Sequence, residues 1–185
     1  MEIRSTGIEG LYEVIPPTYL DNRGWFLEFF KTTFLPDFEL INPLVQDNLS
    51  FSKRGVVRGL HLQLEPFTQA KIVSVLQGKV LDVVVDLRKG STSFGKVYSC
   101  ILDSEKHNLL VIPEGFAHGF SALADSLFFY KCSNLYNPKF ETGIVWNDPQ
   151  LKIDWKIENP ILSEKDQHLP TLEELLRKSL ISPKA

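Results

Sequence analysis

The sequence is poor in cysteine, has no long apolar run and carries no large excess of charge. Its two cysteines, Cys100 and Cys132, form no CxxC pair, so we predict buried thiols rather than a disulfide. The apolar residues of segment 80–87 are interrupted by Asp82 and Asp86, and the segment falls far short of a membrane span. The formal net charge of −3 argues against nucleic acid or an anionic membrane as a partner.

The first ten residues also lack the apolar core of a signal peptide, because Glu2, Arg4 and Glu9 are spread among them. We therefore expect a cytoplasmic protein. Hydrophobic residues make up 43% of the chain and charged residues 23%, which is the composition of a soluble globular protein. No repeat, low-complexity tract or linker divides the sequence, so a single domain is predicted over residues 1–185.

Strand-like segments recur through the middle of the chain at intervals of about ten residues, a pattern typical of sandwiches and barrels. In segment 81–87, Leu81, Val83 and Val85 alternate with more polar positions, which is the period of a strand with one apolar face. The fold class predicted is mainly all-β, a double-sheet jelly roll whose interior can hold a ligand. Strands are predicted over 71–76, 81–87, 97–102, 108–112, 127–132 and 143–146.

Helical patterns are confined mostly to the ends of the chain. Thr171 and Glu174 have the spacing of a capping box, which predicts a short C-terminal helix over about residues 171–180. A second short helix is considered around 32–38, although Pro36 interrupts it.

His61 and His118 occur in contexts typical of metal-binding cupin barrels. Pro113 opens a P-x-G-x-x-H segment that ends at His118. Such barrels place a second histidine two positions after the first, where this chain has Gln63, and an amide is a poor ligand for a transition metal. Glu65 could supply a further ligand, so a metal stays an alternative, but we expect none and favour an acid–base site.

Three cations support that interpretation. Arg23, Arg58 and Lys71 could bind a diphosphate or stabilise an enolate oxygen. Lys71 begins an apolar strand, so its ammonium group is expected to face a cavity or to lie at its rim.

Nearly the whole chain, from Tyr19 to Leu172, resembles the dTDP-4-dehydrorhamnose 3,5-epimerase family of L-rhamnose biosynthesis. Each matching stretch is weak alone, but together they follow the order of the family along one chain. The matching stretches are 21–28, 46–50, 55–63, 69–71, 82–88, 112–120, 130–132 with Tyr136, 143–149 and 162–166.

The resemblance implies a cupin-like barrel that inverts the carbons on either side of a ketone at C4 of a nucleotide-linked sugar. It implies that His61 is the proton acceptor and Tyr130 the proton donor on the opposite face of the sugar. Asp166 would pair with His61, and Lys71 would stabilise the enolate at the C4 oxygen. No cofactor is implied, because the ketone itself makes the neighbouring protons acidic.

The resemblance also implies a set of substrate contacts and a homodimer. Tyr136 would stack on the thymine ring. Residues 1–50 would supply strands at the dimer interface, 51–150 the jelly-roll core and 151–185 a C-terminal extension. Segment 21–28 would join the sheet of the neighbouring subunit. The implied substrate contacts are Arg23, Phe26, Glu28, Gln46, Asp47, Asn48, Arg58, His118, Tyr136, Glu141 and Lys165.

Two departures from the family pattern leave the substrate preference open. Leu62 stands where an aromatic residue is frequent, and Asn147 stands where an aspartate is usual. Three alternatives therefore remain. They are an epimerase acting at C3 alone or at C5 alone, an epimerase for another nucleotide sugar, and a barrel that binds a nucleotide sugar without catalysis.

Overall fold

The computed structural model describes residues 1–31 and 43–178, which form a mainly β structure with two short helices. The strands are β1 Glu2–Ser5, β2 Tyr12–Ile15, β3 Thr18–Asp21, β4 Gly24–Leu27, β5 Gln46–Ser52, β6 Val57–Gln63, β7 Lys71–Gln77, β8 Lys79–Asp86, β9 Val97–Asp103, β10 Leu109–Ile112, β11 Phe116–Ala122, β12 Ser126–Cys132 and β13 Glu141–Gly143. The helices are α1 Glu164–Gln167 and α2 Leu172–Arg177.

Most strands belong to two antiparallel sheets that face each other. One sheet has six strands in the order β1-β2-β10-β7-β12-β5, and the other has five in the order β13-β6-β11-β8-β9. Strands β3 and β4 form a separate hairpin. Since consecutive strands repeatedly cross from one sheet to the other, the structure is the predicted jelly roll.

Strand β8 shows how the core is divided, because both of its faces are buried. Val80 and Val84 point between the two sheets, where they meet Phe120 and Phe128 in an interior apolar cluster. The alternate residues of β8, Val83 among them, form the opposite face, which the C-terminal extension covers. The cover is made by Trp155, Leu172 and Leu175 among others. The apolar face predicted for this strand is therefore the outer face of its sheet.

The strands predicted over 71–76, 81–87, 97–102, 108–112 and 127–132 are confirmed to within two residues at either end. The capping box is present, and α2 begins at Leu172 directly after its Thr171 cap. The strand predicted over 143–146 is wrong, because β13 ends at Gly143. Ile144 still exchanges backbone hydrogen bonds with Leu60, but the N–H of Val145 donates to the carbonyl of Pro170. The helix considered around 32–38 lies outside the described residues, as does the end of the predicted 171–180 helix.

Both cysteines are free and lie in strands, Cys132 buried and Cys100 half-buried. Within residues 1–31 and 43–178, no helix has the length and apolar character needed to cross a membrane.

Two glycines allow neighbouring chain segments to pack closely against β6, the strand that carries His61. A Cβ at Gly59 would lie 2.6 Å from the carbonyl oxygen of His118, and the φ of Gly59 is +102°. A Cβ at Gly143 would lie only 1.9 Å from the carbonyl oxygen of Leu60. Gly143 is paired directly with His61, so this close approach fixes the backbone at the histidine.

We expect Gly143→Ala to lower the free energy of unfolding by about 3 kcal/mol, because the new methyl group can be accommodated only by moving backbone. Urea unfolding would measure the change. Gly95→Ala is the control, since Gly95 has a φ of +76° but no atom within 4 Å of an added Cβ. That variant should lose only about 1 kcal/mol of unfolding free energy, which is the cost of the backbone strain at a positive φ. Equal losses of unfolding free energy in the two variants would contradict the packing explanation.

Candidate active site

A cavity of about 260 Å³ opens between the two sheets. Both sheets contribute to its wall, and it collects several of the side chains singled out in the sequence. The predicted site residues that line it are His61, Lys71, Tyr130, Gln46, Asn48, Tyr136 and Glu141.

The two predicted proton-transfer groups come from opposing sheets. His61 lies on β6 of the five-stranded sheet, and Tyr130 lies on β12 of the six-stranded sheet. Because successive side chains of a strand alternate between its faces, Tyr130 points inward with Phe128, while Phe129 points outward and packs on Phe29. The arrangement therefore puts an imidazole on one wall of the cavity and a phenol on the other.

His61 is held by a carboxylate. Its Nε2 lies 2.5 Å from Oδ1 of Asp166, which α1 carries and which is buried. Burial alone would raise the pKa of Asp166, but the hydrogen bond and the charge of His61 outweigh burial and lower it. An ionised carboxylate can only accept a hydrogen bond, so Nε2 carries the proton and Nδ1 is left as the basic nitrogen.

Lys71 lies on β7 and is 9% exposed. Its ammonium makes no hydrogen bond or ion pair with residues 1–31 or 43–178. Burial lowers the pKa of Lys71, and this is opposed in part by Cys132, Glu141 and Asp82. A cation in the wall without a direct partner is suited to stabilise a negative oxygen on a ligand.

Tyr130 is half-buried and packs against the interior apolar cluster. Burial raises the pKa of Tyr130 above its ordinary value of 10.0, and Cys132 adds to the effect. A phenol of this kind stays protonated at neutral pH, which is the state a proton donor requires.

Three predicted contacts form a hydrogen-bonded group at the mouth of the cavity. Oε2 of Glu141 accepts a hydrogen bond from the hydroxyl of Tyr136 at 2.6 Å and one from Nζ of Lys165 at 2.5 Å. The hydrogen bond to Glu141 raises the pKa of Tyr136 to about 12. Tyr136 remains 48% exposed, and its backbone N–H donates to Oε1 of Gln46. An exposed aromatic ring with a fixed backbone can offer a surface to a flat ring of a ligand.

Other predicted contacts do not line this cavity. His118 is buried, with Nε2 at 2.9 Å from Oδ2 of Asp82, whose pKa is raised by burial. Asp47 points to the outer face of β5, where it pairs with Lys131, because strand alternation separates it from its two neighbours in the sequence motif. Arg58 is exposed and donates to Oγ of Ser52 at 3.0 Å.

Arg23, Phe26 and Glu28 also lie outside the cavity, on the β3–β4 hairpin and just after it. Arg23 pairs with Asp21 across the turn. Phe26 is 65% exposed and stacks on Tyr19. The described part of the chain gives this hairpin no further strand partner.

Sequence reasoning missed four residues that line the cavity, namely Leu62, Gln63, Gln69 and Cys132. Gln63 was considered only as a failed metal ligand. Its position two residues after His61 on one strand places both side chains on the same face, and this spacing could have identified it. No group of three or more His, Cys, Asp or Glu side chains suited to a metal ion occurs within the described ranges.

The fold and the cavity define a class of protein: a cupin-like jelly-roll barrel with an imidazole and a phenol on opposite walls of a pocket. Comparison with known proteins narrows the class. The sequence model of the dTDP-4-dehydrorhamnose 3,5-epimerase family matches residues 5–174. An enzyme of that name from Methanothermobacter thermautotrophicus is 44% identical over 173 residues, which are 91% of this chain and 93% of the relative. The chain belongs to the dTDP-4-dehydrorhamnose 3,5-epimerase family.

Solved structures agree with this assignment. The crystal structure of dTDP-6-deoxy-D-glucose-3,5-epimerase from Legionella pneumophila, in complex with dTDP-4-keto-L-rhamnose, is 42% identical with a TM-score of 0.91, covering 98% of this chain and 97% of that one. A 3'-monoepimerase from Streptomyces bikiniensis, in complex with dTDP-quinovose, is 36% identical with a TM-score of 0.87, covering 96% and 90%. This chain is thus similar both to a double and to a single epimerase.

The lowered pKa of Asp166 predicts how its contribution to stability depends on pH. Its carboxyl binds a proton more weakly in the folded than in the unfolded protein, so its stabilisation is complete above the ordinary pKa of 3.8 and is lost as the pH falls through the folded-state pKa. The difference in unfolding free energy between the unchanged protein and Asp166→Asn should therefore shrink from about pH 5 to about pH 3.

Urea unfolding of both proteins at the two pH values would measure this difference. Glu164→Gln, on the exposed side of the same helix, is the matched control and should show a much smaller change. A difference between the unchanged protein and Asp166→Asn that does not vary with pH would show that the contact with His61 adds no pH-dependent stability.

Proposed function

We propose that this protein is a 3,5-epimerase that converts dTDP-4-dehydro-6-deoxy-D-glucose into dTDP-4-dehydro-L-rhamnose. The observation that carries the proposal is one cavity in which His61, backed by Asp166, faces Tyr130 from the opposing sheet, with Lys71 in the wall. Membership of the epimerase family supports the same reaction.

The first step is removal of a proton next to the C4 ketone. Nδ1 of His61 takes the proton, and the electron pair of the broken C–H bond moves onto the C4 oxygen to give an enolate. Asp166 stabilises the imidazolium that forms, because it accepts a hydrogen bond from Nε2. The ammonium of Lys71 stabilises the negative oxygen, and neither a cofactor nor a metal is needed for this step.

The second step is delivery of a proton to the other face of the same carbon. The hydroxyl of Tyr130 supplies it, and the electron pair of the enolate forms the new C–H bond as the ketone returns. The tyrosinate then regains a proton, and His61 releases the one it took. Repeating the two steps at the other carbon beside C4 inverts both centres, so the net reaction is an isomerisation.

The nucleotide would lie at the mouth of the cavity. There the ring of Tyr136 is available to stack on thymine, and Lys165 and Glu141 fix the position of its hydroxyl. Asn48 and Gln46 line the wall between that mouth and the catalytic groups. His118 would contribute from its buried position, where it contacts Asp82, rather than from an exposed position in the pocket.

The second candidate is epimerisation at C3 alone, favoured by the similarity to the Streptomyces bikiniensis 3'-monoepimerase. Incubation with dTDP-4-keto-6-deoxyglucose in deuterated water separates the possibilities. Solvent deuterium at both C3 and C5 supports the double epimerase, label at one carbon supports a single epimerase, and no label supports a binding protein without catalysis.

The same assay tests the roles of His61 and Tyr130. We expect His61→Asn to abolish solvent exchange at both carbons, because one base serves both abstractions. Tyr130→Phe should retain part of the exchange, since His61 can return a proton to the original face. Epimerised product should fall about 10²- to 10⁴-fold, the usual contribution of a general acid.

His168→Asn and Tyr98→Phe are the matched controls, because His168 is exposed and Tyr98 packs on the interior cluster without lining the cavity. Both should retain near-normal activity. Exchange by His61→Asn at close to the normal rate would remove its role as the base. Unchanged epimerisation by Tyr130→Phe would make Tyr130 a core residue.

We further propose a cytoplasmic homodimer in which each subunit completes the site of the other. The free thiols of Cys100 and Cys132 fit a reducing compartment. The β3–β4 hairpin carries exposed Leu20, Trp25 and Phe26, and such an apolar surface usually marks an interface. Pairing of this hairpin with the sheet of the second subunit would bring Arg23 to the anionic part of the substrate, and with it Phe26 and Glu28.

Mixed dimers test this arrangement. Arg23→Ala and His61→Asn proteins, each inactive alone, would be unfolded, mixed in equal amounts and refolded. If sites are shared, one site of each heterodimer carries both changes and the other carries neither, so activity should return to about a quarter of normal by random pairing. If each site belongs to one chain, every site keeps a defect and the mixture stays inactive. Refolded unchanged protein is the control for recovery.

A further inference from the structure

Gln63 occupies a position in the cavity that the reaction described above does not use. It lies two residues after His61 on β6, so the two side chains share the inner face of the sheet. It is 5% exposed and lines the cavity. Its partner across the ladder is Glu141, which belongs to the group at the cavity mouth. Gln63 therefore lies between the catalytic histidine and the nucleotide end of the pocket.

The orientation of the Gln63 amide is fixed by a backbone contact. The N–H of Asn137 donates to Oε1 of Gln63 at 3.1 Å. A backbone N–H can only donate, and rotating the amide by half a turn would set two donors against each other. Nε2 therefore points away from Asn137, and its two hydrogens find no acceptor among the described residues.

The other two glutamines of the cavity wall show why the unpaired donor of Gln63 is unusual. Nε2 of Gln46 donates to Oδ1 of Asn48 at 2.8 Å, and Nε2 of Gln69 donates to the carbonyl of Asn134 at 2.8 Å. Buried amide donors are nearly always hydrogen-bonded in folded proteins. Among these three glutamines, Gln63 alone keeps a buried donor for something outside the described chain.

We propose that Nε2 of Gln63 donates a hydrogen bond to an oxygen of the bound nucleotide sugar, and that Gln63 is a positioning residue for the epimerisation. This inference rests on the proposed function for the identity of the ligand. A donor of this kind requires an acceptor oxygen, and at this place the nucleotide sugar offers oxygens of the diphosphate and of the adjoining sugar. The bond would hold the sugar so that the reacting carbons face His61.

The test compares Gln63→Met with Gln63→Glu. Methionine keeps the size of the side chain and removes both polar atoms. Glutamate keeps the acceptor for Asn137 and replaces only the donor. Affinity is measured by calorimetry for dTDP and for dTDP-4-keto-6-deoxyglucose, in a His61→Asn background that leaves the sugar unreacted. Asn108→Leu is the matched control, because that amide is also buried, lies outside the cavity lining and has its donor already used by Glu13.

We expect both changes at Gln63 to weaken binding of the nucleotide sugar about tenfold or more, as loss of one buried hydrogen bond would do. Asn108→Leu should lower Tm without a comparable loss of affinity. Weaker binding of dTDP as well places the acceptor in the diphosphate, whereas unchanged dTDP binding places it in the sugar. With His61 present, the loss should also appear in kcat/KM.

Three results would overturn the inference. The first is binding within twofold of normal for both Gln63 variants. The second is normal binding by Gln63→Glu with weak binding by Gln63→Met, since that pattern assigns Gln63 to holding Asn137 alone. The third is an equal loss of nucleotide-sugar affinity from Gln63→Met and Asn108→Leu. Turnover by the unchanged protein is scored separately, so a failure of the proposed epimerase activity leaves the binding comparison at Gln63 intact.

Discussion

The two-residue period of the β-strand decides which groups meet in the cavity. On β6, His61 points inward while Leu60 and Leu62 point outward into the cluster beneath the C-terminal extension. On β12, Tyr130 points inward and Phe129 outward. A slip of one residue in either strand would replace an ionisable group by an apolar one. The apolar packing outside the sheets thus holds the register on which the chemistry inside depends.

The C-terminal extension serves both stability and the site. Trp155, Leu172 and Leu175 cover the outer face of the five-stranded sheet. The same extension carries Asp166 on α1, where the carboxylate meets His61. Because packing anchors the extension on both sides of α1, the partner of the histidine is positioned by the core rather than by a free loop.

Local patterns predicted the elements whose signals lie in a few neighbouring residues, such as β8 and the capped helix α2. The contact of Asp166 with His61 spans 105 positions, and only the family resemblance implied it. The motif around Asp47 gives no sign of which side chains face inward, because that depends on the register of β5 within the sheet. The predicted strand over 143–146 failed for a similar reason, since Pro170 competes for the backbone of Val145.

The charged groups in and around the cavity favour a ligand that carries a negative or hydrogen-bond-accepting oxygen. Two buried carboxylates, Asp82 and Asp166, are each paired with a histidine, whereas the cation of Lys71 has no direct partner in the described chain. Burial keeps Tyr130 protonated on one wall, while Asp166 leaves His61 with a basic nitrogen on the other. Under the proposed function, a ketone held between these walls would meet a base on one face and a donor on the opposite face. Inversion of a carbon requires groups on both faces, because a single group acting from one face would only return the proton it removed.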